Sequence, residues 1–289
     1  MKREIRIGDR IIGDGYPTYI VAEIGINHNG DFEIAKELIY AAKKAGVDAV
    51  KFQKRTPELC VPKEQRNQMR ETPWGYITYL DYRYKVEFGM KEYTAIDKLC
   101  KELKITWFAS VWDEPSVDFM EKFDVACYKL PSAGLTDHAL LRKVKATCRP
   151  IILSTGMSTF KQIEKSVKVI GSSNLLIAHS TSVYPCEPYE LNLKMIETLK
   201  KRFPCPIGYS GHEVGLVTSV VAVAIGACLV ERHFTLDRAM WGSDQAASVE
   251  PTGFQRMVKY IRVTEQALGD GIKKVYDSEL PSLRRLRRV

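Results

Sequence analysis

The chain has 289 residues, 45% of them hydrophobic, and a formal net charge of +8 from 43 lysines and arginines against 35 aspartates and glutamates. That length fits one barrel-sized domain, while the absence of any charge-free run of about 18 apolar residues excludes a helical membrane span, and the basic start MKREIRIGDR lacks the apolar region of a secretory signal. The positive residues are scattered over helix ends and the terminus, as at Lys43-Lys44 and Arg284-Arg285, which argues against nucleic acid and leaves a field favourable to an anionic substrate.

Residues 1–18 come first. EIRIGDRIIGDG alternates around Gly8-Asp9, which predicts a β-hairpin able to plug the N-terminal mouth of a barrel. Eight β-like runs follow: YIVAEIG from Tyr19, AVKFQ from Ala49, TWFAS from Thr106, CYKLPS from Cys127, IILSTG from Ile151, LLIAHS from Leu175, IGYSGH from Ile207 and LVERHF from Leu229. Helical patterns separate them at 32–45, 93–103, 117–123, 137–147, 160–170, 195–203 and 214–227, and the last spans 254–268. The 214–227 pattern is apolar almost all round, so a well-covered helix is expected. Strict alternation of strand and helix predicts an α/β fold, a (β/α)8 TIM barrel behind the hairpin, with residues 272–289 as a tail.

The longest interval, 54–89, carries Trp74, Tyr76, Tyr79, Tyr82, Tyr84 and Phe88. Its aromatics argue against disorder. A satellite hydrophobic cluster, a lid and an oligomer contact remain open, and a homo-oligomer is expected. Seven cysteines form no CxxC pair, so reduced thiols and a cytoplasmic setting are expected.

The C-terminal strand ends carry the chemistry, where a TIM barrel places its active site. Lys51 and Lys129, with Ser110, Ser132, Ser154 and Ser210, suit phosphate and carboxylate oxygens. His212 and His233 end adjacent strands about 4.8 Å apart, so two neutral imidazoles there suit one divalent metal with open positions; a hydrogen-bonded pair without metal is the alternative. Glu23 is either a partner of one lysine or a group that contacts a substrate hydroxyl or moves a proton. Gln53 also ends a strand, and Asp244 lies in the loop after the eighth, a place where substrate contacts gather. His28 and His179 stay unassigned; His138 reads as a helix-start or surface residue.

Taken together, AEIGINHNGD (Ala22 to Asp31), VKFQ (Val50 to Gln53), YKLPS (Tyr128 to Ser132), ILSTGMS (Ile152 to Ser158), HSTSVYP (His179 to Pro185), GYSGH (Gly208 to His212) and ERHFTLDR (Glu231 to Arg238), followed by GSDQAAS, resemble the N-acetylneuraminate (sialic acid) synthase family. The resemblance runs in order over nearly the whole chain. It implies condensation of phosphoenolpyruvate with the aldehyde of an acylated aminosugar, giving a nine-carbon 2-keto-3-deoxy acid and phosphate. Lys51, Lys129, Ser132, Ser154 and Ser210 would hold phosphoenolpyruvate, with Ser110 a further contact. His212 and His233 would hold manganese or magnesium, and Glu23, Gln53, Tyr184 and Asp244 would face the sugar, with Ser182 in place of an asparagine frequent in the family.

Two departures bear on the sugar. The family commonly carries a second, antifreeze-protein-like domain, and residues 1–289 read as the synthase barrel alone. Many members have Gly-Glu after the serine of YKLPS, whereas this chain has Ala133-Gly134. The rival readings are another phosphoenolpyruvate-dependent synthase, a Schiff-base lyase using Lys129, and a non-catalytic polysaccharide-assembly protein.

Overall fold

Strands buried on both faces read as continuous apolar runs, and β3 (Tyr19–Gly25) is buried at all seven positions. The computed structural model describes residues 3–288, so Met1 and Lys2 of the expected hairpin and Val289 of the expected tail lie outside the described residues. The chain begins with β1 (Glu4–Ile7) and β2 (Arg10–Gly13), paired antiparallel through the turn expected at Gly8-Asp9. The remaining barrel strands are β4 (Ala49–Lys54), β7 (Thr106–Val111), β8 (Tyr128–Leu130), β9 (Ile151–Ser154), β10 (Leu175–Ser180), β11 (Ile207–Gly211) and β12 (Leu229–His233). They run parallel, in chain order, and β12 pairs with β3 to close an eight-stranded barrel. Between β4 and β7 lies a separate antiparallel hairpin, β5 (Met69–Thr72) and β6 (Gly75–Thr78).

The helices are α1 (Phe32–Ala45), α2 (Pro57–Cys60), α3 (Tyr79–Val86), α4 (Met90–Leu103), α5 (Glu114–Met120), α6 (His138–Ala146), α7 (Phe160–Ile170), α8 (Met195–Arg202), α9 (Val217–Ala224), α10 (Pro251–Leu268) and α11 (Leu280–Leu286). Their ends follow local chemistry. Asp31 caps α1 by accepting from the Glu33 N–H, and Gly46 closes it at φ +83°. Thr159 and Gln162 form a capping box on α7.

The hairpin does plug the N-terminal mouth. Ile5, Ile7 and Ile12 are buried in the main core, and the tip at Gly8 lies against Thr106 and Ala126, which precede or open β7 and β8. Arg10 donates to Asp48 at 2.8 Å, and the same carboxylate accepts from the Ile20 N–H at 2.8 Å. With the hairpin filling that end of the barrel, the C-terminal mouth is left for the inward strand-end residues.

Two expectations change. The fourth strand is three residues long, because Pro131 ends the ladder and Ser132–Gly134 turns into a 3-10 helix. The 214–227 helix is shorter and not covered all round: Val217 and Val221 of α9 are exposed while Ser219, Ala222 and Val223 face inward. The long interval is a structured subassembly. Tyr82 and Val86 of α3 are buried with Ile26, and Tyr82 meets Trp241 edge-on at 5.2 Å. Lys54 pins it to β4 through Glu87 at 2.7 Å and the Phe88 carbonyl at 2.9 Å. The satellite cluster is therefore present, set beside the barrel mouth.

Because Ile7 is fully buried, Ile7→Ala is expected to lower unfolding free energy by about 2–5 kcal/mol, read as a shifted urea midpoint at constant slope. An unshifted midpoint would mean that the plug contributes no stability.

Candidate active site

Side chains on a strand alternate faces, so residues two apart point the same way. That rule places Lys51 and Gln53 on one inward stripe, Ser210 and His212 on a second, and Glu231 and His233 on a third. Register then assembles them: Glu23 lies between His233 and Lys51 across three strands, and Ser110 lies between Gln53 and Lys129 across another three. Ser210 pairs with Ser180 on one side and Glu231 on the other. The result is a cavity of about 180 Å³ at the C-terminal mouth, lined by every expected site residue except Asp244. Asp244 stands beside it, its Oδ2 3.8 Å from His233 Nδ1.

A four-charge cluster forms its floor. Lys51 Nζ lies 2.8 Å from Glu23 Oε2 and 3.5 Å from Glu231 Oε1, and donates to Ser110 Oγ at 2.5 Å. Lys129 Nζ donates to both oxygens of Glu231 at 2.8 Å. All four residues are at most 5% exposed. Burial works against the charge on Lys51, but Glu23 and Glu231 outweigh it and raise its pKa. Burial, with Lys51 nearby, draws Lys129 down against the pull of Glu231. Glu231 resists burial because Lys129 and Lys51 hold its carboxyl down to about 2. The cluster thus sets two lysines against two glutamates at 2.8–3.5 Å.

Beside it lies a turn of hydroxyls. Ser132 Oγ accepts from the Gly156 N–H at 3.0 Å. Ser180 Oγ and Ser182 Oγ are buried with no hydrogen-bond partner, an arrangement that invites an acceptor-rich ligand. Gly156 has no alternative here: a Cβ would sit 2.2 Å from Ser182 Oγ and 2.8 Å from Ser132 Oγ. Ser154, also buried, completes this wall.

The histidines form the opposite wall. Their ring centroids are 5.5 Å apart, and Tyr184 lies over His212 at 4.1 Å. His212 Nδ1 donates to the Thr181 carbonyl at 2.6 Å, which leaves Nε2 as a lone-pair donor. Burial, then His233, pushes the His212 pKa down to about 3, so the ring is neutral near pH 7. His233 Nδ1 is buried without a partner. Two free imidazole nitrogens fit a divalent ion, but among the described residues no group of three or more His, Cys, Asp or Glu side chains gathers to enclose one. Such an ion would keep positions for water or substrate.

The other histidines serve elsewhere. His28 stacks on Phe88 at 3.8 Å, His179 Nε2 donates to the Leu191 carbonyl, and His138 opens α6. Gln53 donates to Glu23 Oε1 at 2.8 Å, so Glu23 is held by Lys51 and Gln53 together. Glu231 was overlooked in the sequence, although its two-residue spacing from His233 marks it as inward. The outward Arg232 between them is fully buried against Glu213 at 2.9 Å, which fastens β12 to the loop carrying His212. A larger groove of about 860 Å³ lies at the opposite end, but its charges are paired with one another or with neighbours: Asp14 with Lys200, Arg262 with Asp48 and Glu265.

A barrel with a charged, buried floor and an imidazole-lined wall at its C-terminal mouth is an enzyme of the (β/α)8 class. The chain belongs to the NeuB family, whose sequence model matches residues 38–273. It is 38% identical to the N-acetylneuraminate-9-phosphate synthase of Homo sapiens over 94% of this chain and 77% of that protein. It is 35% identical to the N,N'-diacetyllegionaminic acid synthase of Legionella pneumophila over 96% of this chain and 80% of that one. The crystal structure of an N-acetylneuraminic acid synthetase from Leptospira borgpetersenii, in complex with citrate, superposes with a TM-score of 0.88 at 30% identity, covering 100% of this chain and 99% of that chain.

Glu231→Ala would leave Lys129 buried without its counter-charge. The expected loss is about 3–5 kcal/mol of unfolding free energy, measured by chemical denaturation; a loss under about 1 kcal/mol would contradict the ionised pair. Gly156→Ala should leave the fold intact while weakening anion binding by at least about tenfold, or 1.4 kcal/mol, in titration calorimetry. Undiminished anion affinity would place the anion away from this turn.

Proposed function

We propose that the protein condenses phosphoenolpyruvate with the open-chain aldehyde of an N-acylmannosamine-type sugar, giving a nine-carbon 2-keto-3-deoxy acid and phosphate. One observation carries this reading: a buried lysine pair, two unpartnered serine hydroxyls and two neighbouring imidazoles share one cavity. The names of the human and Legionella pneumophila relatives, both synthases of such acids, support it.

Lys51 and Lys129 donate to carboxylate and phosphate oxygens of phosphoenolpyruvate, and Ser132, Ser154, Ser182, Ser210 and the Gly156 N–H donate to others. Held so, carbon 3 forms a bond to the aldehyde carbon, and the aldehyde oxygen takes a proton. Water adds to carbon 2, whose bond to the phosphate oxygen then breaks. His212 and His233 would hold a divalent ion, manganese or magnesium, which when bound would supply Lewis-acid polarisation of the aldehyde. Glu23, oriented by Lys51 and Gln53, is placed to bind a sugar hydroxyl or to hold a proton at the reacting oxygen. Gln53, Tyr184 and Asp244 orient the sugar. Gly134 stands where many members of the family carry a glutamate, so the acceptor end is expected to tolerate more than one sugar.

The Schiff-base alternative needs a neutral, free amine. Lys129 is instead clasped by both oxygens of Glu231, which favours the ammonium form. Free cysteines throughout accord with work in a reducing compartment, and no helix among the described residues is long and apolar enough to cross a membrane. The exposed Tyr76 and Tyr84 beside the mouth are the surface we assign to self-association.

Phosphate release from phosphoenolpyruvate should require both an aminosugar and a divalent ion, cease with chelator and return with manganese. Borohydride with pyruvate should leave Lys129 unmodified; a trapped lysine adduct would overturn the synthase reading. Lys129→Ala should weaken phosphoenolpyruvate binding by about 2–5 kcal/mol, and unchanged affinity with unchanged turnover would remove Lys129 from the site.

A further inference from the structure

Hydrogen bonds between strands fix their spacing only as far as the ladder runs. The β11–β12 ladder ends where Gly211 pairs with Arg232, one residue short of His212 and His233. Each histidine is instead tied away from the other. The His212 carbonyl accepts from the Cys186 N–H at 3.1 Å, and His233 pairs with Glu23 on β3. Neither contact sets the distance between the two rings.

Their outward neighbours close that gap. Glu213 follows His212 and Arg232 precedes His233, and the two are 1% and 0% exposed. Arg232 Nη1 donates to Glu213 Oε1, to the Gly215 carbonyl and to Ser219 Oγ, each at 2.9 Å, while Nη2 donates to the Glu213 carbonyl. One guanidinium thus grips both the side chain and the main chain of the residue bonded to His212. Glu213 is also held from elsewhere, for Tyr209 donates to its Oε2 at 2.8 Å and Thr218 donates to its Oε1. The neighbouring sequence makes room for this carboxylate. A Cβ at Gly211 would lie 2.5 Å from Glu213 Oε2 and 2.6 Å from Tyr209 Cε1, so a larger residue there would displace it. Apolar residues of similar volume often stabilise a fold as well as a buried ion pair does. They lack direction, whereas a fork of hydrogen bonds allows one placement of Glu213 against β12.

We propose that Arg232 and Glu213 are positioning residues, which set the separation of the His212 and His233 imidazoles and so the affinity of the site for a divalent cation. This rests on the metal-assisted condensation proposed above. Neither residue lines the cavity, so they act through the backbone, each one bond from a histidine. His212 Nδ1 is fixed to the Thr181 carbonyl at 2.6 Å, so its ring is not free to follow a displaced partner. The 5.5 Å between the ring centroids then depends on where β12 stands against residues 212 and 213.

The test uses the full chain, manganese alone as the probe, and Arg232→Lys, which keeps the charge and loses the fork. Manganese affinity, read from the electron paramagnetic resonance of the free ion, should fall by about tenfold or more. Phosphoenolpyruvate affinity, measured without metal, should be unchanged, because Lys51, Lys129 and Gly156 lie on other strands or loops. Unchanged manganese affinity overturns the proposal. An equal loss for both ligands also overturns it, by making the pair a support of the whole barrel. Glu213→Gln, which keeps the shape and loses the charge, should show the same split between the two ligands. Failure of both variants to fold would assign the pair to the fold alone and refute the positioning role. A metal-free readout separates this inference from the function it rests on. In chain carrying isotope-labelled histidine, the ring signals of His212 and His233 should shift in Arg232→Lys while that of His28 holds. If wild type binds no manganese and those signals still move, the positioning stands and the metal falls. If they do not move, the positioning falls whatever the metal does.

Discussion

Two lysines and two glutamates buried together at the end of a closed sheet constrain everything around them. Removed from water singly, each would cost several kcal/mol even after relaxation. Together, Lys51, Lys129, Glu23 and Glu231 satisfy one another at 2.8–3.5 Å. The arrangement requires four inward positions on four strands, held in one register. The closed barrel gives that precision because no strand has a free edge. The isoleucine plug below and the Arg232–Glu213 pair behind β12 keep those strands from shifting. The cluster also prepares the site for anions, since its ammonium groups are in place before a ligand arrives and need little reorganisation.

The same bookkeeping of charge divides the mouth into regions. On the floor, positive and negative groups face one another, and beside it the Ser180 and Ser182 hydroxyls have no other partner. On the imidazole wall, His212 keeps its Nε2 lone pair free and His233 Nδ1 has no partner. These environments suit different chemistry: anionic oxygens at the floor and lone-pair acceptors at the wall.

Much of this was legible in the sequence because parallel strands buried on both faces appear as unbroken apolar runs. The runs beginning at Tyr19 and Leu175 have the observed boundaries, and α1 and α7 end where the patterns ended. Side-chain direction was less legible. Glu231 was passed over because His233 drew attention to the end of the run, though both share its inward face. The 214–227 pattern misled because a helix can carry valines outward, as Val217 and Val221 do. The Arg232–Glu213 pair was invisible for a different reason. It joins the ends of two strands, which depends on how β11 and β12 come together, and no local pattern reports that. Ser182 and Tyr184 were found through family resemblance, and they lie on a loop whose path periodicity does not describe.

The central claim is that the buried lysine pair and the Ser132–Gly156–Ser182 turn receive phosphoenolpyruvate. A crystal structure of the protein soaked with phosphoenolpyruvate tests this most directly. The account predicts its anionic oxygens within hydrogen-bond distance of Lys51 Nζ, Lys129 Nζ and the Gly156 N–H, with carbon 3 facing His212 and His233. Density for the ligand at the N-terminal groove, or a covalent bond from Lys129 to its carbon 2, would contradict it.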